Sequence, residues 1–424
     1  MRLTPRIPRA AASTALAIAA SVLLVVGTGS APALADPVRN AEYWLDDYGI
    51  RAAWNTTRGA GVTIAVIDTG VDGSVAELVG AVVGGTDVSG LGSPNGQTPV
   101  GSEGSEHGTL VASLAAGRGT GSSQGVVGAA PEASILSISI GFGEGTVDSD
   151  TQIAKAVRYA VDQGADVINM SLTRNTLDWP TSWDDAFLYA MENDVVVVAA
   201  AGNRGSGTTE VGAPATMPGV LTVAGVDRAG QASFDASSQG ISIAVAAPSE
   251  QLVGVMPGGA YARWDGTSGA TPIVSGIVAL VRAAYPGLSA ANVIQRIIAT
   301  SRDAGTPGAD AIYGYGLVDA QAAVTATVAP VTANPMGSLA DWVTIHRRAA
   351  APTATPTAPA TAPPVALPVP GAARPVNPLG SVLPTVTLLR DTGIPLLVLV
   401  GFGAALGMLA FRGIRRFRSS RDAR

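Results

Sequence analysis

Three short blocks of this 424-residue chain carry side chains that could do nucleophilic chemistry together. They are Ile67-Asp68-Thr69-Gly70 ahead of Val71-Asp72, then Glu106-His107-Gly108-Thr109, then Asp265-Gly266-Thr267-Ser268-Gly269-Ala270-Thr271-Pro272. A serine hydroxyl is a weak nucleophile at its free pKa. It becomes effective when an imidazole takes its proton and a carboxylate fixes that imidazole's tautomer and stabilises its cation. Only two histidines exist, and His346 stands beside Arg347 and Arg348 beyond the periodic part of the sequence. His107 is therefore the expected base for Ser268. Asp68 is the expected acceptor for its Nδ1–H, with Asp72 a second carboxylate in the same block.

Such groups need a rigid frame. From Tyr43 to about Val328 short apolar runs alternate with helical patterns, as a parallel α/β sheet requires. Strands are expected over residues 62–67, ending at Asp68, and over 134–140, 167–172, 195–201, 221–226 and 241–246. Helices are expected over 107–116, 151–162, 268–284 and 289–301. Ser289 reads as the last helix's N-cap, and Val293, Ile294, Ile297 and Ile298 mark its buried face. A helix opening at Ser268 would turn its positive dipole end and free amides toward an oxyanion. Pro272 reads as a first-turn proline, and Gly84 to Glu106 as a polar loop leading to His107.

The Asp, His, Ser order of these blocks is the subtilisin-type order, and the blocks resemble the three signatures of the subtilisin-like serine proteases. The resemblance selects Asp68 over Asp72 through its Asp-Thr-Gly order. It also covers Gly49-Ile50-Arg51-Ala52-Ala53-Trp54, the segment from Gly125 to Ala133, and Gly314-Tyr315-Gly316-Leu317-Val318-Asp319-Ala320. It implies an α/β fold with a predominantly parallel sheet flanked by helices, and endopeptidase activity through an acyl-enzyme. Ala199-Ala200-Ala201-Gly202-Asn203 is similar to the family's Ala-Gly-Asn segment, which implies that the Asn203 amide donates into the oxyanion hole. Ser171-Leu172 and Gly202 are the implied substrate-binding positions, although Thr173 follows where the family usually has glycine. Many members bind calcium at loops, but no acidic run here has ligand spacing, so no cofactor and no metal site is expected. Cysteine is absent.

The ends of the chain differ from its body. Arg2, Arg6 and Arg9 precede an apolar stretch and Ala33-Leu34-Ala35, which reads as a signal peptide over residues 1–35. The peptidase domain is expected over 36–328, with a segment up to Trp54 that packs on the body through Trp44, Leu45 and Tyr48 and stays in the mature protein. A juxtamembrane and Pro/Ala/Thr-rich stalk is expected over 329–393. The uncharged run 394–411 is long enough for a transmembrane helix, and the basic tail 412–424 places the C-terminus in the cytoplasm. Three positive charges at the start and a net five at the end leave −14 on the remainder, within a whole-chain charge of −6. An acidic body argues against a nucleic-acid partner. The whole arrangement resembles the mycosins, membrane-anchored proteases of type VII secretion. That implies a cell-membrane location, an extracytoplasmic catalytic domain, protein or peptide substrates and secretion-membrane partners. A structural role in the secretion complex is the companion expectation. An α/β-hydrolase built from Ser268, Asp319 and His346 is the alternative.

Overall fold

The computed structural model describes residues 36–145 and 147–347. The signal segment 1–35, the Pro-rich stretch from 348 and the span 394–411 lie outside these residues. Seven strands form one parallel sheet: β1 (Thr63–Asp68), β2 (Val82–Asp87), β3 (Ser134–Ser139), β4 (Val167–Met170), β5 (Val196–Ala200), β6 (Leu221–Val226) and β7 (Ile243–Pro248). Their order is β2-β3-β1-β4-β5-β6-β7, all in parallel register. Every residue of β4 to β7 is buried, the pattern of strands covered on both faces. A separate antiparallel hairpin joins β8 (Leu252–Val255) to β9 (Tyr261–Trp264).

Three short helices, α1 (Pro37–Ala41), α2 (Trp44–Asp47) and α3 (Ile50–Ala53), precede the sheet. They place Trp44, Leu45 and Tyr48 in the core, as the sequence leads one to expect, and Ile50 with them. Further on lie α4 (His107–Ala116), α5 (Ser149–Asp162), α6 (Thr181–Glu192), α7 (Thr267–Ala284), α8 (Ala290–Ala299), α9 (Ala320–Thr325) and α10 (Leu339–His346). Ser289 caps α8 by accepting from Asn292 N, with Val293, Ile294, Ile297 and Ile298 buried. Among the described residues α7 is the helix long and apolar enough to cross a membrane. It is 78% buried against the sheet and α4, so it is the core helix of the domain.

Several elements depart from the sequence reading. β2 occupies the start of the expected 84–106 loop. Its glycines look like turn residues, yet a Cβ on Gly85 would lie 1.9 Å from Ser137 O, so the glycine admits the neighbouring strand. α6 and the β8–β9 hairpin are additional elements. The stretch after 328, read as the start of the stalk, continues the folded body to Arg347. There α10 sets Trp342 against Trp179, with ring centroids 4.3 Å apart. Arg347 donates to Asp184 Oδ2 at 3.1 Å and to Trp179 O at 2.7 Å.

Candidate active site

β1 lies where the strand order reverses, flanked by β3 and β4, and Asp68 is its last residue. In open parallel sheets the crevice beyond the carboxyl ends at such a point is where ligands bind. Asp68 is fully buried. Its Oδ1 accepts from Thr69 N at 2.7 Å, and the carboxylate meets His107 Nδ1 at 2.8 and 3.0 Å. An acceptor on that side holds the proton on Nδ1 and leaves Nε2 with a free lone pair. Asp72 makes no such contact: it accepts from Ser74 and Gly258 N in a turn.

Thr69 ties the two blocks together. Its Oγ1 donates to Ser105 O and accepts from Gly108 N, each at 2.9 Å. A Cβ on Gly108 would sit 2.3 Å from Gly70 O, so only glycine lets α4 begin this close to β1. The side chain of His107 is 29% exposed, and its ring meets Trp264 edge to face at 5.7 Å. Burial works against the imidazolium. The charge and hydrogen bond of Asp68, with Glu106 nearby, outweigh it, so the His107 pKa lies above its usual 6.5.

Ser268 is the second residue of α7. Pro272 is not in the first turn, as the sequence reading had it, but the sixth residue of the helix. Lacking N–H, it cannot donate to the carbonyl four residues back, which is that of Ser268. Ser171, just beyond β4, supplies the missing donor: its Oγ reaches Ser268 O at 2.8 Å. The exchange is reciprocal, since Ser268 Oγ donates to Ser171 O at 3.2 Å. Behind Ser171, Asn169 Nδ2 donates to its Oγ, and Ser275 Oγ donates to Asn169 Oδ1. This buried polar chain was visible in the sequence only as Asn169 and Ser171 interrupting an apolar strand.

Asn203 follows β5 on the other side of Ser268. Its Oδ1 accepts from Thr267 N at 2.8 Å and from Thr267 Oγ1 at 2.9 Å. Because Thr267 N–H can only donate, this fixes which end of the amide is oxygen. Nδ2 then lies beside Gly266, where a Cβ would stand 3.1 Å from it, and among the described residues no acceptor takes its hydrogens. Gly202 N donates to Thr267 Oγ1 at 3.2 Å. Leu172 belongs to the core, so it can offer a peptide only backbone. Thr173 turns its Oγ1 onto Arg174 O.

The hydrolase alternative is not assembled. Asp319 caps α9, and His346 stacks on Trp342 in α10. Asp68 and His107 are paired at the end of β1, Ser268 is bonded to Ser171 just beyond β4, and Asn203 follows β5; these are the residue types that acyl transfer uses.

The model of the subtilase family, Peptidase S8, matches residues 59–316. Thermitase of Thermoactinomyces vulgaris is 38% identical over 277 residues, covering 65% of this chain and 90% of thermitase. Subtilisin of Bacillus pumilus is 37% identical over 268 residues, 62% of this chain and 91% of that protein. Of solved structures, MycP1 from Mycobacterium smegmatis superposes with a TM-score of 0.57 at 31% identity, covering 70% of this chain and 86% of MycP1. The MycP3 protease of a type VII (ESX-3) secretion system gives 0.57 at 31%, covering 71% and 90%. The chain belongs to the subtilase family and is a subtilisin-like serine endopeptidase.

Proposed function

We propose that Ser268 is the nucleophile, His107 the general base, Asp68 its orienting carboxylate and Asn203 the oxyanion donor of a membrane-tethered, extracytoplasmic endopeptidase. The observation that carries this is the pairing of His107 Nδ1 with buried Asp68. Ser268 Oγ turns from Ser171 O toward the imidazole and attacks the peptide carbonyl. His107 Nε2 takes its proton and returns it to the leaving amine. Asn203 Nδ2 and the amides at the start of α7 meet the oxyanion, and water then hydrolyses the acyl-enzyme with His107 again as base. The backbone of Ser171-Leu172 and of Gly202 lines the substrate's path.

Anchoring through residues 394–411 rests on their composition and on the arginines that follow. A link to type VII secretion rests on the MycP1 and MycP3 neighbours. Those neighbours also favour a second reading, in which the folded domain has a structural part in a secretion complex. In cells, a Ser268→Ala chain that still supports secretion where deletion abolishes it would establish that part; equal defects would remove it. For the peptidase itself, the full chain should show burst kinetics on an activated ester, with a burst equal to the enzyme concentration. The same burst from Ser268→Ala would refute the assignment.

A further inference from the structure

Asn203 forms one wall of a cavity of about 270 Å³ whose other residues are Ser206, Asp235, Ala236, Glu250 and Asp265. Asp265 lies three residues ahead of Ser268, so the cavity adjoins the reaction centre. A peptide whose scissile carbonyl meets Asn203 brings its neighbouring side chains within reach of this cavity. Three carboxylates line this one concavity. Among the described residues none of them stands within ion-pair distance of a cation. Glu250 accepts from Ser233 Oγ and Asp265 from Gln251 N, whereas among the described residues no hydrogen bond reaches the Asp235 carboxylate. The neighbouring cation is engaged elsewhere: Arg204 lies over the Phe234 ring at 4.7 Å and donates to Phe234 O. The negative charge around the cavity thus has no ion-pair partner among the described residues.

Resting on the peptidase reading above, we propose that this cavity receives a basic side chain of the substrate. Asp235, Glu250 and Asp265 then set a preference for Arg or Lys within two residues of the scissile bond. The shape places a substrate side chain there, and the charge selects its chemistry.

The test uses the full chain in detergent and pairs of fluorogenic peptides. Members of a pair differ only by Arg or its neutral isostere citrulline, at each of two positions on either side of the cleaved bond. One exposed ion pair gives about 1.5- to 5-fold, so three carboxylates should give roughly tenfold in kcat/KM at one position. The preference should shrink when salt is raised from about 0.01 to 0.15 M, as the Debye length falls from about 30 to 8 Å. Asp235→Asn should lower the Arg-to-citrulline ratio by about twofold, and Asp235→Arg should abolish it. The citrulline peptide and the thermal unfolding midpoint serve as controls for chemistry and fold. Equal rates for every pair, or a preference that survives Asp235→Arg, would overturn the inference while leaving the peptidase reading intact. No cleavage of any peptide, with no labelling of Ser268 by a fluorophosphonate, would overturn both.

Discussion

The exchange between Ser171 and Ser268 makes a prediction that depends on a proline. Pro272 leaves the Ser268 carbonyl without a helical donor, and Ser171 Oγ fills the gap at 2.8 Å. Ser171→Ala removes that donor and strands a partly buried acceptor. A neutral hydrogen bond is worth about 0.5–1.5 kcal/mol and an orphaned buried group costs about 1–3 kcal/mol. The partly buried position puts the expected loss near the lower end, about 1–1.5 kcal/mol. Pro272→Ala restores an N–H aimed at the same carbonyl, so the part of the Ser171→Ala cost that comes from Ser268 O should disappear in that background, leaving only the cost of the Asn169 Nδ2 group that loses its acceptor. Urea unfolding of the four proteins of this double-mutant cycle gives the coupling, expected at about 1 kcal/mol. Labelling rates with a fluorophosphonate should follow the same order, because the carbonyl and hydroxyl of one residue move together. Additive costs, with Ser171→Ala equally damaging beside Ala or Pro at 272, would refute the reasoning.

Other perturbations read out separate parts of the site. With His107 as the proposed base, acylation requires its neutral form, so the rate should rise with pH through a midpoint above 6.5, and Asp68→Asn should move that midpoint down; a midpoint at or below 6.5 would contradict the pairing. The stability from the raised His107 pKa has the opposite sense: it is complete below 6.5 and is lost as pH climbs through the folded value. Asn203→Ala should lower turnover by about 10²–10³, with unfolding little changed; normal turnover would remove Asn203 from the oxyanion role. Burial raises the Glu42 pKa to about 8, against the opposing pull of Val127 N and Arg39. Wild-type protein should therefore lose stability relative to Glu42→Gln between pH 4.5 and about 8 and hold level above, as followed by thermal unfolding. A constant difference across that range would show the carboxyl titrating normally.

The legible parts of this protein were those in which local pattern and tertiary role coincide. Strands such as Val196–Ala200 are buried on both faces and so read as unbroken apolar runs. Helix α8 announces itself by a capping serine and a single apolar stripe. Asp68, His107 and Ser268 stood in blocks distinctive enough to locate, and the fold brings Asp68 and His107 into contact. What escaped depends on partners distant in the chain. Gly84 and Gly85 suggest a loop until Ser137 is seen running beside them. Pro272 suits a first turn until Ser171, about a hundred positions earlier, is found serving the carbonyl it deprives. Leu339–His346 is short, and its docking depends on Trp179 just ahead of α6 and on Asp184 within it. The carboxylates beside Asn203 are scattered from Asp235 to Asp265, with no spacing that marks them as one group.

The central claim is that Ser268 is acylated with His107 as its base. A fluorophosphonate probe, applied to the full chain and followed by mass mapping of the modified peptide, tests this directly. The account predicts one adduct, on Ser268, that disappears in Ser268→Ala, nearly disappears in His107→Ala and is undiminished in His346→Ala. An adduct on another residue, or labelling that survives His107→Ala and is lost in His346→Ala, would contradict it.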